Sequence, residues 1–529
     1  MFMFWAAGRY TVFDDEAFSA LRYTLPPVEM VKALWHGDEP DPPLYYLIQS
    51  GWVRVFGIGP LGLRSLSIVL FLAGLVFVRR AGELWFNERT GRLAMLLCAI
   101  HPAHLFFGFA GRWYAAMFCA VAILLWQTGR LIASARTDVC HVGGTQSAPS
   151  SAGDESAALG RRSIQAPDST HGPSAFFLWS LAAAVVCYVN YFGPVVVGFV
   201  WVAAILAARR RRGWLHAAVG AIVLYLPWFP PFWRQVTSFP QLGGSALDYA
   251  ATLARSLAAL LAGNLASARA WWVWAPLAVF GPALLALFAA RRRRVLGLAA
   301  VACGCLLAGT LSRTMIDKYV MSFSAAAWLA VAAGLAPAEP PVKGLERYLR
   351  RVALIALCLA WLGCGVNLVT QRHWSSLRWL DPFPQAIADL AVGDLARVPP
   401  ENTILPHPSA RYYYARRRLA SSETPDDLSR WRALAATDGP APAARPATVS
   451  TLLDRMAADP PQRLILMETA GFSDDPDARA LEARLSADYK VIEERTYLDD
   501  PDAELKNRLD PRYTHPAQRI RIRLWQGGN

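Results

Sequence analysis

The stretch Leu61-Gly-Leu-Arg-Ser-Leu-Ser-Ile-Val-Leu-Phe-Leu-Ala-Gly-Leu-Val-Phe-Val78, followed at once by Arg79-Arg80, decides the class of this protein. It carries a single charge, Arg64, near its start, and a basic pair closes it. A helix of about 20 such residues covers a hydrocarbon core of roughly 30 Å. Arginines at its end mark the cytoplasmic side under the positive-inside rule. Further spans of this kind follow at Leu93 to Phe109, Tyr114 to Ile132, Ala175 to Tyr191, Pro194 to Ala208 and Trp214 to Phe229. Four more run from Trp271 to Ala290, Val295 to Leu311, Tyr319 to Leu335 and Val352 to Val369. That makes about ten, the short ones extending by a few residues. Composition agrees: 54% of the residues are hydrophobic and 18% charged, against about a quarter charged in soluble domains.

Charge orients the spans. Arg79, Arg80, Arg89 and Arg92 lie between the first two, Arg209 to Arg212 and Arg291 to Arg294 follow later ones, and Lys343, Arg347, Arg350 and Arg351 precede the last. With all these clusters cytoplasmic, the spans alternate without conflict. The N-terminal region, Ala110 to Trp113, the turn near Asn190, Pro230 to Ala270, Ser312 to Lys318 and everything after Gln371 then lie outside. The formal charge of +13 is absorbed by these anchors. No recognition motif accompanies it, so nucleic acid is not an expected partner.

The expected fold is mainly α: a polytopic transmembrane helical bundle with a small C-terminal extracytoplasmic α/β domain. Residues 1–60 form an external loop and interfacial helices, 61–370 the transmembrane domain, and 371–529 the outer domain. Residues 133–173, rich in Ser, Ala and Gly and without periodicity, read as a disordered cytoplasmic linker, where His141 and His171 carry no chemistry. Met1 to Phe13 is too short to cross a membrane, so a first helix is expected ahead of it. In the outer domain, Arg463 to Glu468, Lys490 to Tyr497 and Arg519 to Trp525 read as strands and Ala478 to Ala487 as a helix. Arg411-Tyr-Tyr-Tyr414 reads as either. Seven of the eight cysteines fall in or beside apolar spans, Cys140 lies in the linker, and the outer domain has none, which excludes disulfides there.

Four segments on the outer side hold chemistry. Asp14-Asp15-Glu16 places three carboxylates beside the membrane. Such a group serves as general base toward an acceptor hydroxyl, a pair of them holds a divalent metal, and the plain alternative is an acidic first helical turn. Asp38-Glu-Pro-Asp41-Pro-Pro-Leu-Tyr45-Tyr46 reads as a helix start at the interface, with Tyr45 and Tyr46 suited to the aromatic belt. Arg112, in Gly111-Arg-Trp-Tyr114, either pairs with a phosphate or snorkels. Lys318, between Asp317 and Tyr319, is a further phosphate ligand unless Asp317 neutralises it.

The order of these features resembles the GT-C membrane glycosyltransferases, in the branch of protein O-mannosyltransferases and aminoarabinose transferases of lipid A. Asp15-Glu16 stands for the Asp-Glu pair of the first external loop, and Pro42-Pro-Leu-Tyr-Tyr46 for its Pro-Pro-Leu-Tyr-Tyr segment. Leu63-Arg64-Ser65 matches an Arg-Leu-Pro-Ser-like helix start, Ala110 to Ala115 a Glu-Ala-Arg-x-Tyr-Ala motif, Asn190 to Gly193 a His-Tyr-Phe-Gly turn, and Lys318-Tyr-Val320 an Arg-Tyr-Leu. The pieces cover roughly the first 335 residues. The chain departs from the pattern where Ala110 replaces Glu, Asn190 replaces His, Lys318 replaces Arg and Asp41 replaces the His or Lys before Pro-Pro.

The resemblance implies transfer of a sugar from a polyprenyl-phosphate donor to a lipid, glycan or protein acceptor, at the outer face of the cytoplasmic membrane. A physical reason stands beside it: nucleotide sugars are cytosolic, so an outward-facing site needs a lipid-linked sugar flipped across the bilayer. Asp15 becomes the base, oriented by Glu16 or Asp14. Arg112, Lys318 and Arg64 bind the donor phosphate, while Asp41, Tyr45, Tyr114, Asn190 and Tyr319 contact substrate. Asp15 and Glu16 are the ligands for a divalent cation, Mg2+ or Mn2+, where one is used. At the root of the outer domain, Arg372, His373 and Trp374 are candidates without a role. Two other readings are a transporter, which normally carries charge at mid-membrane, and a non-catalytic subunit that keeps the fold.

Overall fold

The apolar stretch from Leu61 to Val78 lies inside one 26-residue helix, Pro60–Trp85. At 1.5 Å per residue such a helix is about 39 Å long, enough to cross a bilayer. It belongs to a computed structural model of the chain. The structure describes residues 2–10, 12, 14–37, 41–142, 173–207, 211–238, 246–263, 271–289, 294–311, 317–336, 344–369, 383–399, 402–405, 408–420, 449–468, 476–498 and 519–527.

Four short helices precede it: α1 Phe2–Arg9, α2 Asp14–Tyr23, α3 Pro27–His36 and α4 Pro43–Phe56. Proline opens α3 and α4, where its missing N–H costs nothing. The long helix is α5, and α6 Glu88–Ile100, α7 Pro102–Phe107 and α8 Tyr114–Val142 follow. Asn87 caps α6 by accepting the Thr90 N–H at 2.9 Å. Helices α6 and α7 return antiparallel along α5, with Gly82 against Gly91 at one end and Phe71 against His104 at the other. Helix α8 then runs parallel to α5. Leu63 lies beside Gly111, Gly74 beside Cys119, and Trp85 beside Gly129, with the Trp85 indole donating to the Leu125 carbonyl at 2.9 Å. The glycines let the backbones approach closely, as in membrane helix pairs.

The bundle continues with α9 Pro173–Val189, α10 Gly193–Ala207, α11 Arg211–Tyr225, α12 Phe229–Ser238, α13 Ala246–Ala262, α14 Trp271–Ala289, α15 Arg294–Leu311, α16 Ser324–Leu335 and α17 Leu345–Val369. Every residue of α16 except Val331 is buried, because its alanines let surrounding helices pack close. The outer faces carry bare hydrocarbon: Leu215, Val219, Ile222 and Val223 on α11, and Leu359, Leu362 and Val366 on α17, are all exposed. Apolar surface on this scale belongs against lipid. Among the described residues five helices are long and apolar enough to cross a membrane, and five shorter apolar helices join them.

Three expectations are corrected. The span Leu93 to Phe109 is not one helix: it breaks at His101, whose backbone is extended (φ −62°, ψ 129°) before Pro102, as sterics before proline demand. The segment expected outside, Pro230 to Ala270, has no expected helix, yet part of it is α13, which joins the packing: its Leu260 and Leu261 carbonyls accept from His101 and Trp361 at 2.8 Å each. Helix α8 runs on to Val142, past the expected start of the linker at Ala133; residues 143–172 lie outside the described part.

The last third forms α18 Phe383–Asp389, β1 Thr403–Ile404, α19 Pro408–Ala420, α20 Val449–Ala458, β2 Arg463–Glu468, α21 Pro476–Asp488, β3 Tyr489–Leu498 and β4 Arg519–Gly527. The sheet order is β1-β2-β4-β3, parallel between β1 and β2 and antiparallel elsewhere. Period-two alternation divides the sheet. Leu464, Leu466 and Trp525 join Leu452, Leu481 and Leu485 in a separate core. Ile465, Met467, Ile522 and Leu524 belong to the main core together with Ile387 and Tyr412. The Arg411-to-Tyr414 stretch, ambiguous in sequence, is the middle of α19. It docks this domain onto the first helices: the Tyr412 hydroxyl donates to the Ile58 carbonyl at 3.0 Å, and the Val12 N–H donates to the Tyr413 oxygen at 2.6 Å.

A Cβ at Gly91 would meet the Arg79 carbonyl on α5, whereas one at Gly51 meets nothing within 4 Å. Gly91→Ala is therefore expected to destabilise the bundle by about 1–3 kcal/mol. Gly51→Ala should be neutral or stabilising by roughly 0.5–1 kcal/mol. Thermal unfolding of both variants in detergent checks this pair.

Candidate active site

The acidic triplet opens α2 at Asp14, so the first-turn reading describes its backbone. Successive helical residues point about 100° apart, and the carboxylates part company. Glu16 turns inward and is buried. Its Oε1 accepts from Arg64 Nε at 2.9 Å and from the Gly111 N–H at 2.6 Å, and its Oε2 accepts from Arg64 Nη2 at 2.5 Å. Arg64 Nη1 donates to the carbonyls of Ala7 and Tyr10 at 2.9 and 2.8 Å. Asp15, half-buried, turns toward α8, where the Tyr114 hydroxyl donates to its Oδ2 at 3.1 Å.

Arg112 lies beside Asp15, on the turn before α8. Its Nη1 donates to the Tyr46 hydroxyl at 3.0 Å, to the Asp15 carbonyl at 3.3 Å and to the Ser19 hydroxyl. Its Nη2 donates to Asp41 Oδ2 at 3.2 Å. The other Asp41 oxygen accepts from Asn190 Nδ2 at 3.3 Å. Tyr319 closes the group, its ring 5.4 Å from Trp113 and 6.0 Å from Phe192 and its hydroxyl within reach of the Asn190 side chain.

The structure thus brings together Asp15, Glu16, Asp41, Arg64, Arg112, Tyr114, Asn190 and Tyr319, residues up to 304 positions apart (15 to 319). They gather at the end of the bundle that carries the start of α5, and α19 docks at that same end. Arg79 and Arg80 lie about 22 Å farther along α5, at the opposite end.

Two roles change. Arg64 is fully buried and bonded to Glu16 and two carbonyls, so it holds the loop in place and does not face a phosphate. Tyr45 is buried too. Its hydroxyl lies 3.2 Å from Ser67 Oγ and 3.3 Å from Gln49 Oε1, beneath the site; burial pushes that hydroxyl up from its ordinary pKa, so it stays neutral. Asp15 and Glu16 do not fit as a metal pair, since both Glu16 oxygens are filled by Arg64 and the Gly111 amide. Among the described residues no cluster of three metal-binding side chains occurs. The side chains of Asp14 and Lys318, and residues Arg372, His373 and Trp374, lie outside the described part.

Sequence reading missed Ser19 and Tyr46. Ser19 falls four residues after Asp15, on the same helix face, and that spacing was the available signal. His101 and His104 also escaped notice. Both are buried, with His104 Nδ1 donating to the Cys98 carbonyl at 2.7 Å and Nε2 lying 2.8 Å from Ser324 Oγ. The break at Pro102 was their signal.

The backbone matches the crystal structure of ArnT from Cupriavidus metallidurans in the apo state, with a TM-score of 0.51 at 13% identity over 99% of this chain and 95% of that one. The two chains share a fold. The same ArnT bound to undecaprenyl phosphate gives 0.49 at 13% identity, covering 99% and 96% of the two chains. An apo oligosaccharyltransferase from Archaeoglobus fulgidus gives 0.43 at 12%, covering 73% and 55%. No family model and no curated protein sequence matches the chain. At such identity the likeness is one of backbone, and the chemistry rests on the residues themselves.

Arg64→Met leaves Glu16 buried without its counter-charge, which costs about 3–5 kcal/mol. The double variant Glu16→Gln/Arg64→Met is expected to recover part of that loss. Melting temperatures of the wild type, single and double variants in detergent measure it; losses that merely add would show the pair is uncoupled.

Proposed function

We propose that the protein is a membrane glycosyltransferase that moves a sugar from a polyprenyl-phosphate donor to a lipid, glycan or protein acceptor, at the outer face of the cytoplasmic membrane. One observation carries this reading. Half-buried Asp15, whose carboxylate accepts from the Tyr114 hydroxyl, gives its backbone carbonyl to the buried arginine Arg112 at one end of an apolar bundle with the fold of GT-C transferases.

Asp15 takes the proton from the acceptor hydroxyl or amine as that atom attacks the anomeric carbon. The Tyr114 hydroxyl and the rigid first turn of α2 aim the carboxylate. Arg112 stabilises the charge that gathers on the departing phosphate, a contribution that is often the largest in such reactions. Glu16 and Arg64 do not touch the reacting atoms; they position the turn between them. Lys318 is a second cation for the phosphate. A single displacement inverts the anomeric configuration. The lipid chain lies against the apolar helices, and the C-terminal domain, docked through Tyr412 and Tyr413 at this end, borders the acceptor's approach.

Asp15→Asn is expected to lower transfer from a radiolabelled polyprenyl-phosphate sugar by about 10²–10⁴-fold while the protein still inserts and folds. Unchanged transfer removes the carboxylate from the mechanism. Asp15→Cys should react with a membrane-impermeant maleimide added outside intact cells; reaction only after permeabilisation places the site on the other face.

A further inference from the structure

Arg411 lies in the seam where α19 docks on α2. It is half-buried, and its Nε is shut away from solvent without an acceptor. Among the described residues it makes no hydrogen bond and no ion pair. Its charged neighbour is a second cation, Arg22, in the last turn of α2. Burial first, and the Arg22 charge second, hold the Arg411 guanidinium below the ordinary arginine pKa. Its place near the start of α19 adds the positive end of a helix dipole. All three effects oppose a cation here. The adjacent tyrosines explain why the chain tolerates this. Tyr412 and Tyr413 bond to the first helices, so they fix the backbone at Arg411 whatever its own side chain gains.

The seam leads to Asp15. Asp15, Phe18 and Arg22 recur at i, i+3 and i+7, the spacing of one helical face. All three are half-buried. Arg22 folds back along this face, with its guanidinium over the Phe18 ring at 4.6 Å from the centroid. Seven residues of helix separate the ends of the face by about 10 Å. One end carries the carboxylate that receives the acceptor's proton, and the other carries the two guanidiniums.

We propose that Arg411, with Arg22 beside it, binds a phosphate group on the acceptor, about 10 Å along α2 from the hydroxyl or amine that meets Asp15. The inference rests on the transferase reading and deepens it by naming the chemistry of the acceptor. Guanidinium forks match phosphate oxygens in charge and in geometry. A phosphate in the seam offsets the burial, the repulsion and the dipole at once. A neutral acceptor gains none of this, so the seam selects a phosphate-bearing molecule, and α19 contributes the selecting residue from the C-terminal domain.

The test is thermal unfolding of the full chain in detergent over a range of inorganic phosphate, with ionic strength held constant by sodium chloride. Phosphate is expected to raise the melting temperature of the wild type. Arg411→Met keeps the apolar stem and removes the charge. It should need about tenfold more phosphate for the same rise, and without phosphate it should melt no lower than the wild type. Arg411→Gln carries the same phosphate expectation and serves if the methionine variant misfolds. Arg416→Gln, at an exposed arginine on the same helix, should respond as the wild type does. An equal phosphate response in the wild type and a folded Arg411 variant overturns the site and leaves the transferase reading to the Asp15 assay. An Arg411→Met protein that melts below the wild type without phosphate also overturns it, because that is the mark of a structural contact. A second arm measures transfer of the radiolabelled sugar to an extract of the membrane that houses the protein. Arg411→Met should raise the extract concentration for half-maximal transfer about tenfold and leave the saturated rate unchanged. Unchanged half-saturation together with a lost phosphate response gives the site to surrounding lipid headgroups and overturns the acceptor assignment. A phosphate response at Arg411 with no sugar transfer by the wild type overturns the acceptor assignment and the transferase reading together.

Discussion

The buried pair of Glu16 and Arg64 holds the site's elements in register. Five hydrogen bonds meet on these two side chains, and the Phe109 ring lies 5.6 Å from the guanidinium. They join α1, α2, α5 and the turn before α8. Taking both charges out of water costs several kcal/mol per ion, and their attraction offsets that only when the remaining donors and acceptors are satisfied. Here Arg64 Nη1 donates to two backbone carbonyls and Glu16 Oε1 accepts from a backbone amide. Such a pair contributes specificity of arrangement more than net stability: a shift of α2 along α5 would strand both charges at once.

That arrangement depends in turn on the bundle beneath it. Because α5 and α8 run parallel in close contact along their length, their starting turns lie side by side, and Arg64 and Arg112 project from neighbouring points. One arginine is consumed in holding the turn, which leaves the other to face the site. Gly74 and Gly129 permit the contact; a side chain at Gly74 would meet the Phe118 ring 2.7 Å away. The intervening helix must leave room for this approach, and it does so by breaking at His101-Pro102. The buried imidazoles then tie the broken end to α13 and α16 through backbone and hydroxyl partners.

Much of this was legible in the chain. Long apolar runs ending in arginine declared the bundle, and alternation declared the strands of the C-terminal domain, because both signals are local. The elements read wrongly are those whose state is decided by neighbours. Residues 252–262 show no span in sequence because the apolar run is short, yet they pack as a helix once α7, α15 and α17 surround them. Arg64 reads as a phosphate ligand through the resemblance, near the start of its span. Only the fold reveals that Glu16 reaches it first. The motif pieces named Arg112, Asn190 and Tyr319 without distances, Tyr46 reads only as an interfacial anchor, and Ser19 is signalled only by its spacing from Asp15.

The departures from the GT-C pattern look scattered in sequence and become related in space. Ala110 removes a carboxylate from the turn that carries Arg112. Asp41 adds one where a cation is usual, and its oxygen lies 3.2 Å from that same arginine. Asn190, in place of histidine, suits this exchange: an amide donates to a carboxylate without adding a titrating charge. The three substitutions are coherent as one change. They leave an arginine paired with a carboxylate that leads into a proline-started helix.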